Sequence, residues 1–134
     1  VWVSWSLEDI PTGKLRSGET IQEAFDHLSG LDIDAYLFNC CSVESISYAI
    51  PVLRSLTGKL VGGYANVLAE IPAAYEMGVG GETPLRNDVT LERYATTVDL
   101  WRRNGADIIG GCCGVGPGFI RLVHQRRTGV HGHV

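Results

Sequence analysis

Four short apolar runs recur along this 134-residue chain, and a stretch with apolar residues at helical spacing follows each one. Alternation of strand and helix calls for a parallel sheet with right-handed crossovers, because a parallel neighbour is reached only by a long connection that packs back on the sheet. The first run is Val1-Trp2-Val3-Ser4-Trp5. A glycine- and charge-bearing loop, Glu8 to Gly18, leads from it to a helix that opens with Thr20 and Glu23 in a capping-box pattern. Ile21, Ala24, Phe25 and Leu28 give that helix its apolar stripe, and Ser29-Gly30 stops it. Ile33 to Phe38 is the second strand, apolar on both faces.

The second helix carries Ile46, Ala49, Ile50, Leu53 and Leu56, with Pro51 inside it predicting a kink or a late start. Leu60 to Tyr64 reads as a glycine-rich third strand. The long stretch Ala65 to Asn87 has the length of a lid or binding loop. A third helix follows with Leu91, Tyr94, Ala95, Val98 and Trp101, closed by Asn104-Gly105. Asp107 to Gly111 is the fourth strand, and Pro117 opens a last helix with Phe119, Ile120 and Val123. The tail from Thr128 to Val134 reads as frayed.

Four βα units are half of a (βα)8 barrel of about 250 residues, and an open flavodoxin-like sheet is the structural rival. Both architectures put chemistry at the C-terminal ends of the strands. Here those ends carry cysteines: Asn39-Cys40-Cys41 after the second strand and Gly110-Gly111-Cys112-Cys113-Gly114 after the fourth.

Composition narrows the setting. A hydrophobic content of 45% and a charged content of 19% fit a globular chain and argue against disorder. The net charge of −4, with no basic stripe, gives no reason to expect nucleic acid. No apolar run approaches the roughly 20 residues that span a bilayer, and the opening residues do not have a signal-peptide pattern. Adjacent cysteine pairs at strand ends suit reduced thiols in the cytoplasm better than a disulfide framework. The absence of an initiator methionine and the start inside a strand predict a piece of a longer protein.

Thiolates converging from two strand ends suit zinc, which sulfur and nitrogen ligands hold tetrahedrally, and three protein ligands leave a position for substrate or water. Successive strand residues face opposite ways, so Cys112 and Cys113 reach one ion only through an irregular turn, which their glycines permit. Inert buried thiols account for the same residues about as well, and a redox pair or vicinal disulfide remains a further reading. Cys41, facing away from Cys40, is a bystander. His27 and His124 lie on polar helix stretches, and His131 and His133 in the tail, so none points to a site. Gly78 to Thr83 superficially resembles a phosphate loop but lacks its lysine. Trp2, Trp5 and Trp101 read as core residues.

The Gly110 to Gly114 stretch with the upstream Asn39-Cys40 resembles the homocysteine S-methyltransferase family. So do the opening Val1 to Ser4 with Leu15 to Ala24, Gly63-Tyr64-Ala65-Asn66, and Tyr94 to Gly105. The resemblance covers nearly the whole chain, but only the C-terminal half of that family's barrel, its strands five to eight. It implies a partial homocysteine-binding domain over residues 1–134 and a zinc ion held by Cys40, Cys112 and Cys113. It also implies methyl transfer to the zinc-bound thiolate of homocysteine, giving methionine, with the activity belonging to the full-length protein. Asn39 and Asn66 are the implied contacts for the substrate's amino-acid head. Relatives draw the methyl group from S-methylmethionine, betaine, S-adenosylmethionine or methyl-folate.

Two departures stand out: Val115-Gly116 where the family commonly has threonine, and Cys41 where it has a small or hydroxyl residue. A half-barrel also exposes two edges and an apolar face, which predicts self-association. The alternative function is a non-catalytic zinc-binding or self-associating module, and a weaker one is a thiol redox protein.

Overall fold

The computed structural model describes residues 1–69 and 84–132, with side chains through residue 127. Strands β1 (Trp2–Trp5), β2 (Ala35–Asn39), β3 (Leu60–Tyr64) and β4 (Ile108–Ile109) form one sheet in the order β1-β2-β3-β4, parallel throughout. Helices α1 (Ile21–Asp26), α2 (Val43–Leu56), α3 (Leu91–Arg103) and α4 (Pro117–Gly132) complete four βα units. Strands laid side by side in chain order are the arrangement of a barrel, whereas a doubly wound sheet reverses its order at a switch point. The flavodoxin-like rival is therefore set aside.

Register explains which sheet face is covered. Val3, Tyr36 and Val61 stand in one row and Trp5, Phe38 and Gly63 in the next on the same face. The large residues of these rows join Ile46, Ile50, Leu53, Tyr94, Val98 and Trp101 from the helices in one core. Trp2 and Leu60 share the opposite face, flanking Ala35, and are 62% and 45% exposed. Trp101 is fully buried and Trp5 partly so, but Trp2 is not a core residue, because no described helix covers its side of the sheet. This is the fold of a partial (βα)8 barrel, with the would-be barrel interior open.

Local differences from the sequence reading have local causes. The first helix ends at Asp26 rather than near Leu28, because the following amides of Leu28 and Ser29 close three-residue turns onto Phe25 and Asp26. Its capping box of Thr20 and Glu23 is formed as expected. The second helix runs on past Pro51, which is exposed, and starts at Val43 beneath the Ser42 cap. Regular pairing in β4 covers Ile108–Ile109 instead of Asp107 to Gly111, although the amides of Asp107, Gly110 and Cys112 still donate to the carbonyls of Val61, Gly63 and Ala65 on either side of it. In β3 the glycine content is required: a Cβ on Gly62 would lie 2.1 Å from the Ile108 carbonyl oxygen. Much of the Ala65 to Asn87 stretch, including the Gly78 to Thr83 motif, falls outside the described residues, as does His133.

Candidate metal centre

Each cysteine loop leaves a strand and enters a helix within a few residues, so its conformation is set from both sides. Cys40 follows directly on β2 and adopts φ +50°, a left-handed conformation that costs a non-glycine residue about 1–2 kcal/mol. The Cys40 amide donates to the Tyr64 carbonyl at 3.2 Å, and the Arg16 guanidinium holds the Cys40 carbonyl at 2.7 Å. The left-handed turn sends Cys40 toward the C-terminal end of the sheet and Cys41 into the core, where Cys41 is fully buried.

The second loop keeps both of its thiols at the same end. Val115 N–H donates to the Cys112 carbonyl at 3.0 Å, closing a turn around Cys113 and Gly114. Gly114 has φ +79°, and a Cβ there would come within 2.5 Å of the Val67 side chain. This is the irregular turn that the glycines were expected to allow.

The sulfurs of Cys40, Cys112 and Cys113 all lie within 4.8 Å of one another. The Cys40–Cys113 separation is 4.0 Å and the Cys112–Cys113 separation 3.9 Å. Four ligands placed tetrahedrally at the zinc–sulfur distance of about 2.3 Å stand about 3.8 Å apart, so these spacings suit a shared ion. They are far longer than a disulfide bond of about 2.05 Å, and all four cysteines are free. The donor set therefore fits a thiophilic metal. Burial first, and then hydrogen bonding to Cys40, push the Cys112 thiol up to about 12. Burial alone dominates the rise of Cys41 to about 12. Burial of this kind favours the protonated form of Cys112 until a cation compensates it. Cys41 lies outside the cluster, as a core residue.

The asparagines flank this centre differently. Asn39 is half-buried at the end of β2, where its Oδ1 accepts the Ser4 hydroxyl at 2.8 Å, and Ser4 in turn accepts the Tyr64 hydroxyl at 3.0 Å. Asn66 is 1% exposed, and its Nδ2 points to Cys40 Sγ at 3.9 Å. Ser4, Tyr64, Arg16 and Tyr94 were not singled out from the sequence. Tyr64 pairs with Asn39 across two parallel strands, a register that the structure reveals. His27 and His124 are exposed, away from the thiols. A cleft of about 500 Å³ among the described residues lies between α3, β4 and α4, near Arg102, Ile109 and Ile120, and includes no cysteine.

Taken together, these features define a parallel α/β half-barrel with a three-thiol cluster at the strand C-termini. A homocysteine S-methyltransferase family model matches residues 1–127, and the chain belongs to that family. It is 27% identical over 125 residues to selenocysteine methyltransferase from Astragalus bisulcatus, spanning 92% of this chain and 35% of that protein. It is 29% identical over 91 residues to homocysteine S-methyltransferase 4 from Zea mays, spanning 68% of this chain and 25% of that protein. The metallated form of the Escherichia coli homocysteine methyltransferase MmuM superposes with a TM-score of 0.65 at 24% identity, over 93% of this chain and 35% of that one. The chain thus spans between a quarter and about a third of the length of these relatives. No described helix is long and apolar enough to cross a membrane.

Proposed function

We propose that this chain is the metal-binding C-terminal half, strands five to eight, of a zinc-dependent homocysteine S-methyltransferase. The observation that carries this reading is the approach of three thiols, from two strand ends, to within 4.8 Å of one another. Cys40, Cys112 and Cys113 would hold the ion and leave one tetrahedral position for the homocysteine sulfur. A zinc ion held there would supply the Lewis acidity that keeps a substrate thiol deprotonated near neutral pH.

The rest of the work belongs to the chain. Three thiolates leave the centre at about −1, which keeps an incoming sulfur nucleophilic. Asn39, at the sheet end beside Cys40, orients the substrate's amino-acid head, and the Tyr64-Ser4 hydrogen bonds fix the asparagine. Asn66, the second implied head contact, is buried with its side-chain amide turned to Cys40, which favours a role at the sulfur over one at the substrate. The substrate sulfur attacks the activated methyl carbon in line; the new carbon–sulfur bond forms as the bond from that carbon to the donor's leaving atom breaks. The product is methionine, so the whole protein serves methionine biosynthesis, and its free thiols support a cytoplasmic setting.

Zinc analysis with a methyl-transfer assay on the full-length protein tests this. One zinc per chain in the wild type, lost with activity in Cys113→Ser, is expected. Equal zinc in both proteins would remove the ligand assignment.

A second reading is favoured by one observation, the exposure of Trp2 and Leu60 on the helix-free sheet face between two unpaired edges. On that reading the chain is a non-catalytic zinc-binding module that self-associates to cover this face. Native mass measurement separates the two: a stable dimer completing eight strands supports the self-associating module, and a monomer counts against that assembly.

A further inference from the structure

The segment leaving β3 touches both cysteine loops. The Ala65 carbonyl accepts the Cys112 amide at 2.9 Å, and the Val67 amide donates to the Cys113 carbonyl at 3.1 Å. Between them, the Asn66 amide donates to the Cys41 carbonyl at 3.0 Å. Three consecutive residues therefore hold the backbones of the two loops together, and the spacing of the thiols depends on them.

The Asn66 side chain adds a contact to the sulfur itself. Its Oδ1 accepts the Leu68 amide at 3.3 Å, which fixes the amide plane and turns Nδ2 toward Cys40 Sγ at 3.9 Å. Asn66 is almost fully buried, so water does not compete for this donor. A thiolate is a soft acceptor with spare lone pairs. An N–H aimed at it withdraws charge from the sulfur and fixes the direction of its remaining lone pairs. Groups that orient metal ligands in this way typically change metal affinity about 10–100-fold when removed.

We propose that Asn66 is a positioning residue that holds Cys40 Sγ by an N–H···S hydrogen bond, tuning metal affinity rather than contacting substrate. This rests on the reading of Cys40, Cys112 and Cys113 as a metal site. Cys40 is the natural recipient, since it is the ligand contributed alone by its loop and the one held in a left-handed conformation.

Cobalt(II) titration of the full-length protein is the test, because the sulfur-to-cobalt charge-transfer bands report the electron density on the thiolates. Asn66→Ser is the main variant: its hydroxyl still accepts from the residue-68 amide in a local turn but is too short to reach the sulfur. Asn66→Ala removes both functions. Val67→Ala loosens the same segment without touching the donor and serves as the structural control.

The expected result is about tenfold weaker cobalt binding in both Asn66 variants, with charge-transfer bands moved to lower energy. Val67→Ala should keep the wild-type band position. Wild-type bands and affinity in Asn66→Ser would overturn the proposal, as would an identical band shift in Val67→Ala. Failure of the wild type to take up cobalt with thiolate bands would instead remove the three-cysteine site itself.

Discussion

Cys40-Cys41 and Cys112-Cys113 are the same dipeptide in the same place, after a strand and before a helix, yet they meet opposite fates. The first pair is split: Cys40 joins the cluster and Cys41 is fully buried among core residues. The second pair stays together, with its sulfurs 3.9 Å apart at the sheet end. The difference lies in the residues on the C-terminal side of each pair. Ser42 caps α2 immediately after Cys41, so the chain has no slack and adjacent side chains must diverge. Cys113 is succeeded by Gly114, Val115 and Gly116 before Pro117, and the turn onto the Cys112 carbonyl folds the pair back on one side. In this chain the spacing to the next helix separates the pair whose side chains diverge from the pair whose thiols stay together.

The largest expected effect breaks the first pair. Cys40→Ser removes a proposed ligand and is expected to lower zinc affinity by two orders of magnitude or more. Cys41→Ala leaves one zinc per chain and removes only a core atom, costing about 1 kcal/mol of stability. Zinc content and urea midpoints measured on both variants check this. Zinc loss in Cys41→Ala, with a normal midpoint, would mean the pairs are not divided as described.

The second pair is tested at its turn. Gly114→Ala puts a Cβ at φ +79° and within 2.5 Å of Val67 and 2.9 Å of Leu85. Left-handed strain and overpacking together are expected to cost about 2–4 kcal/mol and to weaken zinc binding as Cys113 is displaced. Gly116→Ala meets nothing within 4 Å and is the matched control, expected to stay within about 0.5 kcal/mol of wild type. Equal midpoints for the two variants would show that the turn is not held as the structure has it.

Reactivity distinguishes the pairs without mutation. With zinc removed by chelator, native protein should expose three titratable thiols, and the fourth only on unfolding, because Cys41 is buried and its thiol is pushed up to about 12 by that burial. Mass mapping of the alkylated sites reads the assignment directly. Early labelling of Cys41 would contradict its place in the core.

Much of this was legible in the sequence, and the reason is local. Leu60–Tyr64 as a strand and Pro117 as a helix start depend on apolar runs and first-turn chemistry, and the structure has both. Cys40, Cys112 and Cys113 stand out because strand ends are where such folds carry chemistry. The features that the sequence hides depend on distant partners. Trp2 looks like core, but its exposure comes from which sheet face the helices cover. The hydroxyl of Tyr94 reaches the Gly110 carbonyl, just past β4, from another element of the fold. Ser4, Tyr64 and Asn39 form one chain of hydrogen bonds only through interstrand register, which no window along the sequence contains.

The smallest expected effect concerns the ion pairs that support the helix behind the first loop. Glu44, in the first turn of α2, pairs with Arg86 at 2.6 Å and with Arg93 at 3.1 Å, and Asp88 pairs with both arginines. Burial pushes the Glu44 carboxyl up, but the Arg86 hydrogen bonds and charge outweigh this and hold it below its ordinary 4.5. Hydrogen bonding to Arg86 likewise holds Asp88 below its ordinary 3.8. Carboxyls depressed in the folded state contribute stability that is complete above their unfolded values and lost as pH falls through the folded ones. Thermal stability should therefore drop as pH falls below about 4.5, and part of that drop should vanish in Arg86→Met. Because the groups are partly exposed, the effect should shrink in molar salt. An acid limb unchanged by both the substitution and the salt would show that the arginines do not anchor the helix behind Cys40-Cys41.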